Sequence, residues 1–371
     1  MTVSAYPAQQ ATPVDGGLQP HEPVVFNKEV AQTLVHDMGV LLACSASMPR
    51  YALVELGQCE MAGREAIALA VQVHGLEMKR LFEGTPESEL ADQGPWLIRF
   101  PVQPSGTLLE TLALHAGVHH ALSMVASPLA LGDLANHMRS WLEGLIPPDP
   151  MIEGDESCGA VLRWFDPRIG LDMPGCWPAA DRQQFMQAFC WWAAWRADFS
   201  PRLMQGPSFN RAAPRAEPLP LDQTLLLALD QLNTAETMLA SVRENDIEPG
   251  ELDHMAPALQ HCLAHQLRDD ARHLGLDDWA DQYMLLAMGL RLHPDIADAQ
   301  ALQPILAAAA TGERGLGAAI ADIDNTVWQD LVEEAPQVLA LHSHALLEPL
   351  RQRRLAAVSA HPFHIPRTEV R

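Results

Sequence analysis

The sequence predicts an α+β protein in which an N-terminal mixed α/β lobe with a small sheet precedes an all-helical C-terminal lobe. Up to about residue 200, short β-rich segments bounded by glycine or proline alternate with segments of helical apolar spacing. Beyond residue 220 only helical spacing remains. A chain of 371 residues is long enough for two domains. We expect a flexible leader at 1–25, an α/β domain at 26–200, a proline-rich linker or extended wrap at 201–220, a helical lobe at 221–357 and a tail at 358–371.

The elements of the N-terminal lobe follow from their apolar periodicity and their boundary residues. Period-3.6 spacing predicts helices, and short apolar runs that end at glycine or proline predict strands. The predicted helices are 28–42, 61–74, 107–115 and one that opens at Ser127-Pro128-Leu129 and carries Leu131, Leu134, Met138, Trp141 and Leu142. The predicted strands are 51–55, 95–101, 121–125 and 159–165.

The C-terminal lobe is predicted from five segments with helical spacing. Breaks at Pro249-Gly250, Gly275 and Pro294 separate them, since proline and glycine interrupt helices. The predicted helices are 222–243, 256–274, 277–292, 296–310 and 326–355.

Composition and charge exclude several classes of partner. The chain carries 47 acidic and 24 basic residues, a net charge of −23, and shows no basic stripe for nucleic acid or for an anionic membrane surface. The N-terminus lacks the charged and apolar regions of a signal peptide, and no apolar stretch approaches the roughly 20 residues of a spanning helix. The cysteines form no CxxC pair, which indicates reduced thiols. We therefore expect a cytoplasmic protein that does not insert into membranes.

Aromatic residues form the most prominent apolar pattern. Between residues 185 and 199 they fall at offsets 0, 4, 7, 10 and 14, which on a helix is one arc of about 120°. Burial between the two lobes is the more common fate of such a stripe. The alternative is a face that takes up the apolar helix of a partner. The candidate partner-binding residues are Phe185, Phe189, Trp191, Trp192 and Trp195.

One helical spacing could indicate a metal site. His261, His265, Asp269 and His273 succeed one another at intervals of four, so they share one helix face, and two histidines one turn apart can bind zinc. There is no HExxH glutamate and no clear third ligand from another segment, and a polar outer face explains the same residues. No nucleophile elbow, P-loop or dinucleotide-binding fingerprint is present. We expect no catalytic residue, metal or cofactor.

The segment LRWFDPRI at 162–169 is unusual in a chain with few basic residues. Its candidate structural motif is Arg163, Trp164, Asp166, Pro167 and Arg168. Proline ends a strand, and Asp166 can accept hydrogen bonds from nearby backbone N–H groups or from Arg168. Strand alternation would place Arg163 and Phe165 on one face and Trp164 on the other. We expect a chiefly architectural motif, with contact of Arg163 or Arg168 to a partner as the alternative.

Six segments follow one another along the chain: YALVE at 51–55, LFEGTPESEL at 81–90, GPWLIRF at 94–100, SPL at 127–129, HMR at 137–139 and LRWFDPR at 162–168. Taken together in this order, they resemble the Tap-like adaptor chaperones of type VI secretion, the family known as domain of unknown function 4123. The resemblance covers about residues 51–199, and the helical half is similar too at 271–276, 289–294 and 305–307.

The resemblance implies a non-catalytic function. Such proteins hold the N-terminal region of a secreted toxin effector and load it onto the spike protein, in the cytoplasm of a Gram-negative bacterium. Two other classes stay open. An immunity-type protein would also bind a toxin, but at its catalytic end, and a metal-dependent hydrolase would use the face from His261 to His273.

Overall fold

The computed structural model describes residues 23–148, 156–206, 214–245 and 252–356, together with His361 and Phe363. Most of the predicted leader and most of the predicted tail lie outside the described residues. The first helix begins at Pro23, so residues 23–25, expected in the leader, are helical.

Two sheets hold the strands. Six strands form an antiparallel sheet in the order β2-β3-β1-β4-β7-β8, and three form a small sheet in the order β6-β5-β9, in which β9 runs parallel to β5. Central strand β1 is buried at all its positions because both faces of the large sheet are covered. The strands are β1 Arg50–Glu55, β2 Met78–Arg80, β3 Pro95–Arg99, β4 Leu122–Ala126, β5 Glu143–Ile146, β6 Cys158–Val161, β7 Trp191–Trp195, β8 Pro201–Gln205 and β9 Leu219–Pro220.

Helices cover the sheet and make up most of the remaining chain. Several begin at side-chain caps: Ser105 and Asp222 each accept from the backbone N–H three residues ahead, and Asp278 and Asp324 from the one two residues ahead. The helices are α1 Pro23–Cys44, α2 Met61–Val73, α3 Gly106–His115, α4 Leu131–Arg139, α5 Met173–Cys176, α6 Ala179–Met186, α7 Gln223–Glu244, α8 Pro257–His273, α9 Trp279–Arg291, α10 Gln303–Ala310, α11 Leu316–Ala319 and α12 Asn325–Leu355.

The structure confirms the α+β class, with its antiparallel sheet in the N-terminal half and a helical C-terminal region. Several element boundaries were wrong. The strand predicted at 159–165 ends at Val161, and the helix predicted at 296–310 begins only at Gln303, after two short 3₁₀ turns. Helix α4 begins at Leu131 rather than at Ser127-Pro128-Leu129. It ends at Arg139, so Trp141 and Leu142 are buried in the turn that follows it.

The helical stripe predicted from residue 185 to residue 199 was also wrong. Helix α6 ends at Met186, a turn follows, and WWAAW forms strand β7, which pairs with β4 and β8. Aromatic residues are common in strands as well as on buried helix faces, so the sequence fits both a strand period and a helix period. Pairing of this segment with β4 on one side and β8 on the other selected the strand. Phe199 lies beyond β7 in a left-handed conformation at φ 56°.

The proline-rich segment at 201–220 begins and ends in strands. Strand β8 extends the large sheet beyond β7, and β9 joins the small sheet beside β5. Both described ends of this segment are therefore paired in sheets. Residues 207–213 lie outside the described part of the chain. The division into two lobes at this segment stays a prediction.

Two apolar cores lie on the two faces of the large sheet. Strand alternation divides β1 between them: Ala52 and Val54 belong to the larger core, Tyr51 and Leu53 to the smaller. The larger core continues without interruption from α1 and α3 into α7, α8, α9 and α10, whereas the smaller is covered mainly by α4 and α6. The family-like half and the helical half therefore share one core. Among the described residues, no helix combines the length and the apolar composition needed to cross a membrane.

A buried aspartate also joins the end of the chain to its beginning. Asp37 of α1 is fully buried and accepts from Arg353 at 3.0 Å, from His361 at 2.8 Å and from the Trp195 indole N–H at 2.7 Å. Phe363 packs edge-on against Trp195. The C-terminal end of α12 is thereby held against α1 and β7.

Candidate functional site

The RWFDPR motif forms a tight turn rather than the end of a strand. The Asp166 N–H donates to the Arg163 carbonyl at 3.0 Å, and the Gly170 N–H donates to the Asp166 carbonyl at 2.6 Å. Because the strand ends before the motif, the expected alternation of Arg163 and Phe165 against Trp164 was wrong. Trp164 and Phe165 are both buried, and the Trp164 indole donates to the Trp141 carbonyl at 2.9 Å.

Asp166 is the hub of this turn. Its carboxylate is fully buried and accepts from the Arg168 backbone N–H at 3.1 Å, from Arg168 Nε at 2.9 Å and from Arg168 Nη2 at 2.7 Å. Arg163 donates to the same carboxylate at 3.1 Å from a side chain that is 45% exposed. The contact between Asp166 and Arg168 that the sequence suggested is present, and it leaves Nη1 of Arg168 for a partner outside the turn.

The remaining donor of Arg168 reaches the helical half of the chain. Arg168 Nη1 donates to Glu236 of α7, whose carboxylate is buried and also contacts two histidines of α8. His261 Nδ1 lies 2.9 Å from Glu236 Oε2, and His265 Nε2 lies 3.0 Å from Oε1. We call Asp166, Arg168, Glu236, His261 and His265 the junction network, because it ties the family-like half to α7 and α8.

The charges of the junction network stabilise one another against burial. Burial opposes ionisation of Asp166, but Arg168 and Arg163 outweigh it and lower its pKa below the ordinary value. Burial likewise acts against Glu236, but His261 and Arg168 hold its pKa well below the usual range. Burial lowers the pKa of His261, and the adjacent carboxylate of Glu236, which is hydrogen-bonded to the ring, opposes that shift.

Two buried titratable groups adjoin the junction network. Burial raises the pKa of Glu55, at the end of β1, to about 7, although nearby Arg163 opposes the shift. His120 is buried in a left-handed conformation at φ 51°, with its ring stacked on Phe199 at 4.4 Å between centroids and edge-on to His261 at 5.1 Å. Burial and the neighbouring His261 keep the pKa of His120 well below its usual value. His120 is therefore uncharged at neutral pH, whereas Glu55 is about half ionised near pH 7.

Open clefts lie on both sides of the junction network. The larger has a volume of about 810 Å³ and runs between the turn that follows β7 and the outer faces of α7 and α8. The smaller has a volume of about 520 Å³ and lies between Gln58 and the start of α8. Arg168 lines both clefts. Members of the junction network therefore line two open clefts, each bordered by both halves of the chain.

The aromatic candidates for partner binding do not form a surface. All five are buried, at most 3% exposed. Phe185, Phe189 and Trp192 belong to the smaller core, whereas Trp191 and Trp195 belong to the larger, because alternation along β7 points neighbouring side chains to opposite faces. Of the two interpretations, burial describes their placement, and their role as a partner-binding surface is not supported.

The candidate metal ligands are divided between two environments. His261 and His265 are hydrogen-bonded to Glu236, while Asp269 pairs with Arg268 at 2.7 Å on the exposed side of α8 and His273 is exposed. Among the described residues, no group of three or more His, Cys, Asp or Glu is arranged to hold a metal ion.

Sequence reasoning missed Glu236 and Asp37, the two acids at the centres of the buried networks. Each left a signal, because each lies next to apolar residues in the buried stripe of its helix: Glu236 precedes Met238 and Leu239, and Asp37 precedes Met38. A carboxylate at such a position needs a buried partner. The identity of that partner, 68 residues away for Glu236 and Arg168, could not be read from local spacing.

Comparison with known proteins finds one family. The family model described as domain of unknown function (DUF4123) matches residues 50–184, which include β1 to β6 and the RWFDPR motif. This family is known from type VI secretion contexts. No curated protein and no solved structure matches the chain.

Proposed function

We propose that this chain, which carries a DUF4123 domain at residues 50–184, is a non-catalytic adaptor and chaperone of type VI secretion. It binds the N-terminal region of a secreted toxin effector and loads it onto the spike protein. It works in the cytoplasm, without a cofactor and without nucleic acid or membrane insertion. The family's association with type VI secretion supports the context of this proposal.

The observation that carries the proposal is the junction network. The most distinctive segment of the family-matched region, the RWFDPR turn, places Arg168 against Glu236 of the helical half, so that two parts of the chain act as one body. A buried network of this kind orients the walls of the clefts on either side of it. An adaptor that must hold one protein and present it to another needs such a preorganised body.

Co-purification with fragments of an effector tests the proposal. The chain is co-expressed with a toxin and a spike protein encoded in the same genomic cluster, with the toxin divided into N-terminal and catalytic fragments. We expect the N-terminal fragment to remain soluble and to be retained by the chain, and the spike protein to join the complex. Retention of the catalytic fragment alone would instead identify an immunity-type protein.

Metal analysis of the same purified protein addresses the hydrolase alternative. We expect no stoichiometric zinc, because His261 and His265 already donate to Glu236. One zinc per chain, lost together with a hydrolytic activity in His261→Ala, would overturn the adaptor proposal.

A further inference from the structure

The larger cleft beside the junction network carries a charge pattern unlike that of the chain. The whole chain has about two acidic residues for each basic one, whereas the cleft is lined by five arginines and three aspartates. We call it the arginine cleft. Its arginines are Arg168, Arg196, Arg202, Arg268 and Arg272.

Two of these arginines have their donors available. Arg196, directly after β7, and Arg272, in the last turn of α8, are exposed and have no ion-pair partner in the part of the chain that the structure describes. The others are engaged: Arg168 in the junction network, Arg202 with Asp172, and Arg268 with Asp269 and the Gln231 carbonyl. Two free guanidinium groups therefore face one cleft from opposite halves of the chain.

The helix dipole explains the position of only one of these two arginines. A basic residue in the last turn of a helix is favoured by the helix dipole, which accounts for Arg272. Arg196 has no such reason, since it lies in the turn between two strands, where its backbone N–H donates to the Ser200 carbonyl at 3.0 Å. A guanidinium matches a carboxylate through two parallel hydrogen bonds, and its weak hydration makes such a pair favourable at a protein interface.

The size of the cleft and the edge strand in its wall suit an extended ligand. Its volume of about 810 Å³ lies in the range of sites that enclose a ligand rather than a single ion. Strand β8, which contributes Arg202 to the wall, is the last strand of the large sheet, and among the described residues it pairs only with β7. An edge strand can add an extended peptide through backbone hydrogen bonds.

We propose that the arginine cleft binds an extended peptide segment rich in Asp or Glu, with Arg196 and Arg272 as the carboxylate-binding residues. The inference rests on the proposed function, because it assigns this segment to the protein that the adaptor holds. The net charge of −23 of the chain repels the same segment, so its binding depends on the local excess of arginine in the cleft.

Direct binding tests the inference without an effector. Fluorescence anisotropy is measured with two labelled ten-residue probes, one of alternating Glu and Gly and one of alternating Lys and Gly. We expect binding of the Glu probe only, weakened as NaCl rises, and at least a tenfold loss of affinity in the double variant Arg196→Gln/Arg272→Gln. The control is Lys79→Gln/Arg314→Gln, which removes the same charge from β2, at the opposite edge of the sheet, and from the segment before α11. It should bind like the unmodified chain.

Two results would overturn the inference directly: no binding of the Glu probe, or a loss of affinity for this probe that is as large in the control variant as in the double variant. Displacement of the probe by inorganic phosphate at the same concentration of charge would also overturn it, because it would indicate a site for small anions. Any of them, with the N-terminal effector fragment still retained, would leave the adaptor function standing. Binding of the Glu probe by a chain that retains no effector fragment would contradict the adaptor function and leave the acidic-peptide site standing.

Discussion

Replacement of Asp166 by alanine is the most direct test of the junction network. The substitution removes a fully buried carboxylate that accepts three hydrogen bonds from Arg168 and one from Arg163. Arg168, 12% exposed, is left with Glu236 as its remaining charged partner. Removal of one partner from a buried ion pair costs about 3–5 kcal/mol, because the other charge stays buried without compensation.

Arg163→Ala is the matched control within the same motif. It removes the donor on the exposed side of the same carboxylate, from a side chain that is 45% exposed, where an ion pair contributes at most about 1 kcal/mol. Urea denaturation at pH 7, followed by tryptophan fluorescence, measures both variants. We expect the midpoint to fall several times further for Asp166→Ala than for Arg163→Ala, with similar slopes for the two variants.

The same account of Asp166 predicts how the stability of the chain changes with pH. The folded-state pKa of Asp166 is below its ordinary value, so its contribution is present above about pH 4 and is lost as the pH falls through the folded-state pKa. The difference between the unmodified chain and Asp166→Ala should therefore shrink in acid. Equal midpoints at pH 7 would refute the account of the network.

Effector retention connects this stability to function. If the motif is architectural, Asp166→Ala lowers both the denaturation midpoint and the amount of effector retained, because the halves that border the clefts lose their common anchor. A variant that unfolds like the unmodified chain yet retains no effector would show that Asp166 contacts the partner or orients a contact. The architectural interpretation would then be wrong.

Three further substitutions test other buried groups. The first is Glu55→Gln: as the pH rises from about 5 to 8, the unmodified chain should lose up to about 3 kcal/mol of stability relative to this variant, because a folded-state pKa of about 7 against 4.5 penalises the ionised carboxylate. Urea denaturation midpoints at pH 5, 7 and 8 measure this difference, and a difference that does not change with pH would contradict it. Gly170→Ala should cost about 1–3 kcal/mol in the same assay, because its Cβ would lie 2.0 Å from the Trp164 carbonyl oxygen, and an unchanged midpoint would show that the turn relaxes freely. Arg353→Ala should lower the melting temperature measured by circular dichroism, since buried Asp37 loses its cationic partner; a change no larger than that of exposed Arg314→Ala would refute the role of this contact.

The helical half and much of the first sheet follow from local pattern. The spacing of apolar residues placed α7, α8, α9 and α12 within a few residues, because each helix buries one face against the larger core and ends at glycine, proline or a capping aspartate. Strands β1 and β3 were predicted for the complementary reason, as short β-rich runs closed by turn residues.

The aromatic segment shows where local pattern fails. Phe185, Phe189, Trp192 and Trp195 satisfy a helical period, yet Trp192 and Trp195 also suit a strand, and the chain between them is too short to reveal which period applies. The vacant edge of β4 decided in favour of a strand, and pairing with β4 is a contact between segments distant in sequence. The same change of element moved the side chains from one shared face into two separate cores.

By itself, the sequence determined the α+β class, the helical second half and the turn chemistry of Asp166 and Arg168, because each depends on residues within a few positions of one another. Only the tertiary structure decided that Arg168 meets Glu236 and that Arg196 and Arg272 line one cleft from two sides. Arg168 and Glu236 lie 68 positions apart in the sequence, and Arg196 and Arg272 lie 76 apart. Local periodicity does not reach over such separations, so the distances between these side chains are set by the burial of both halves of the chain in one core.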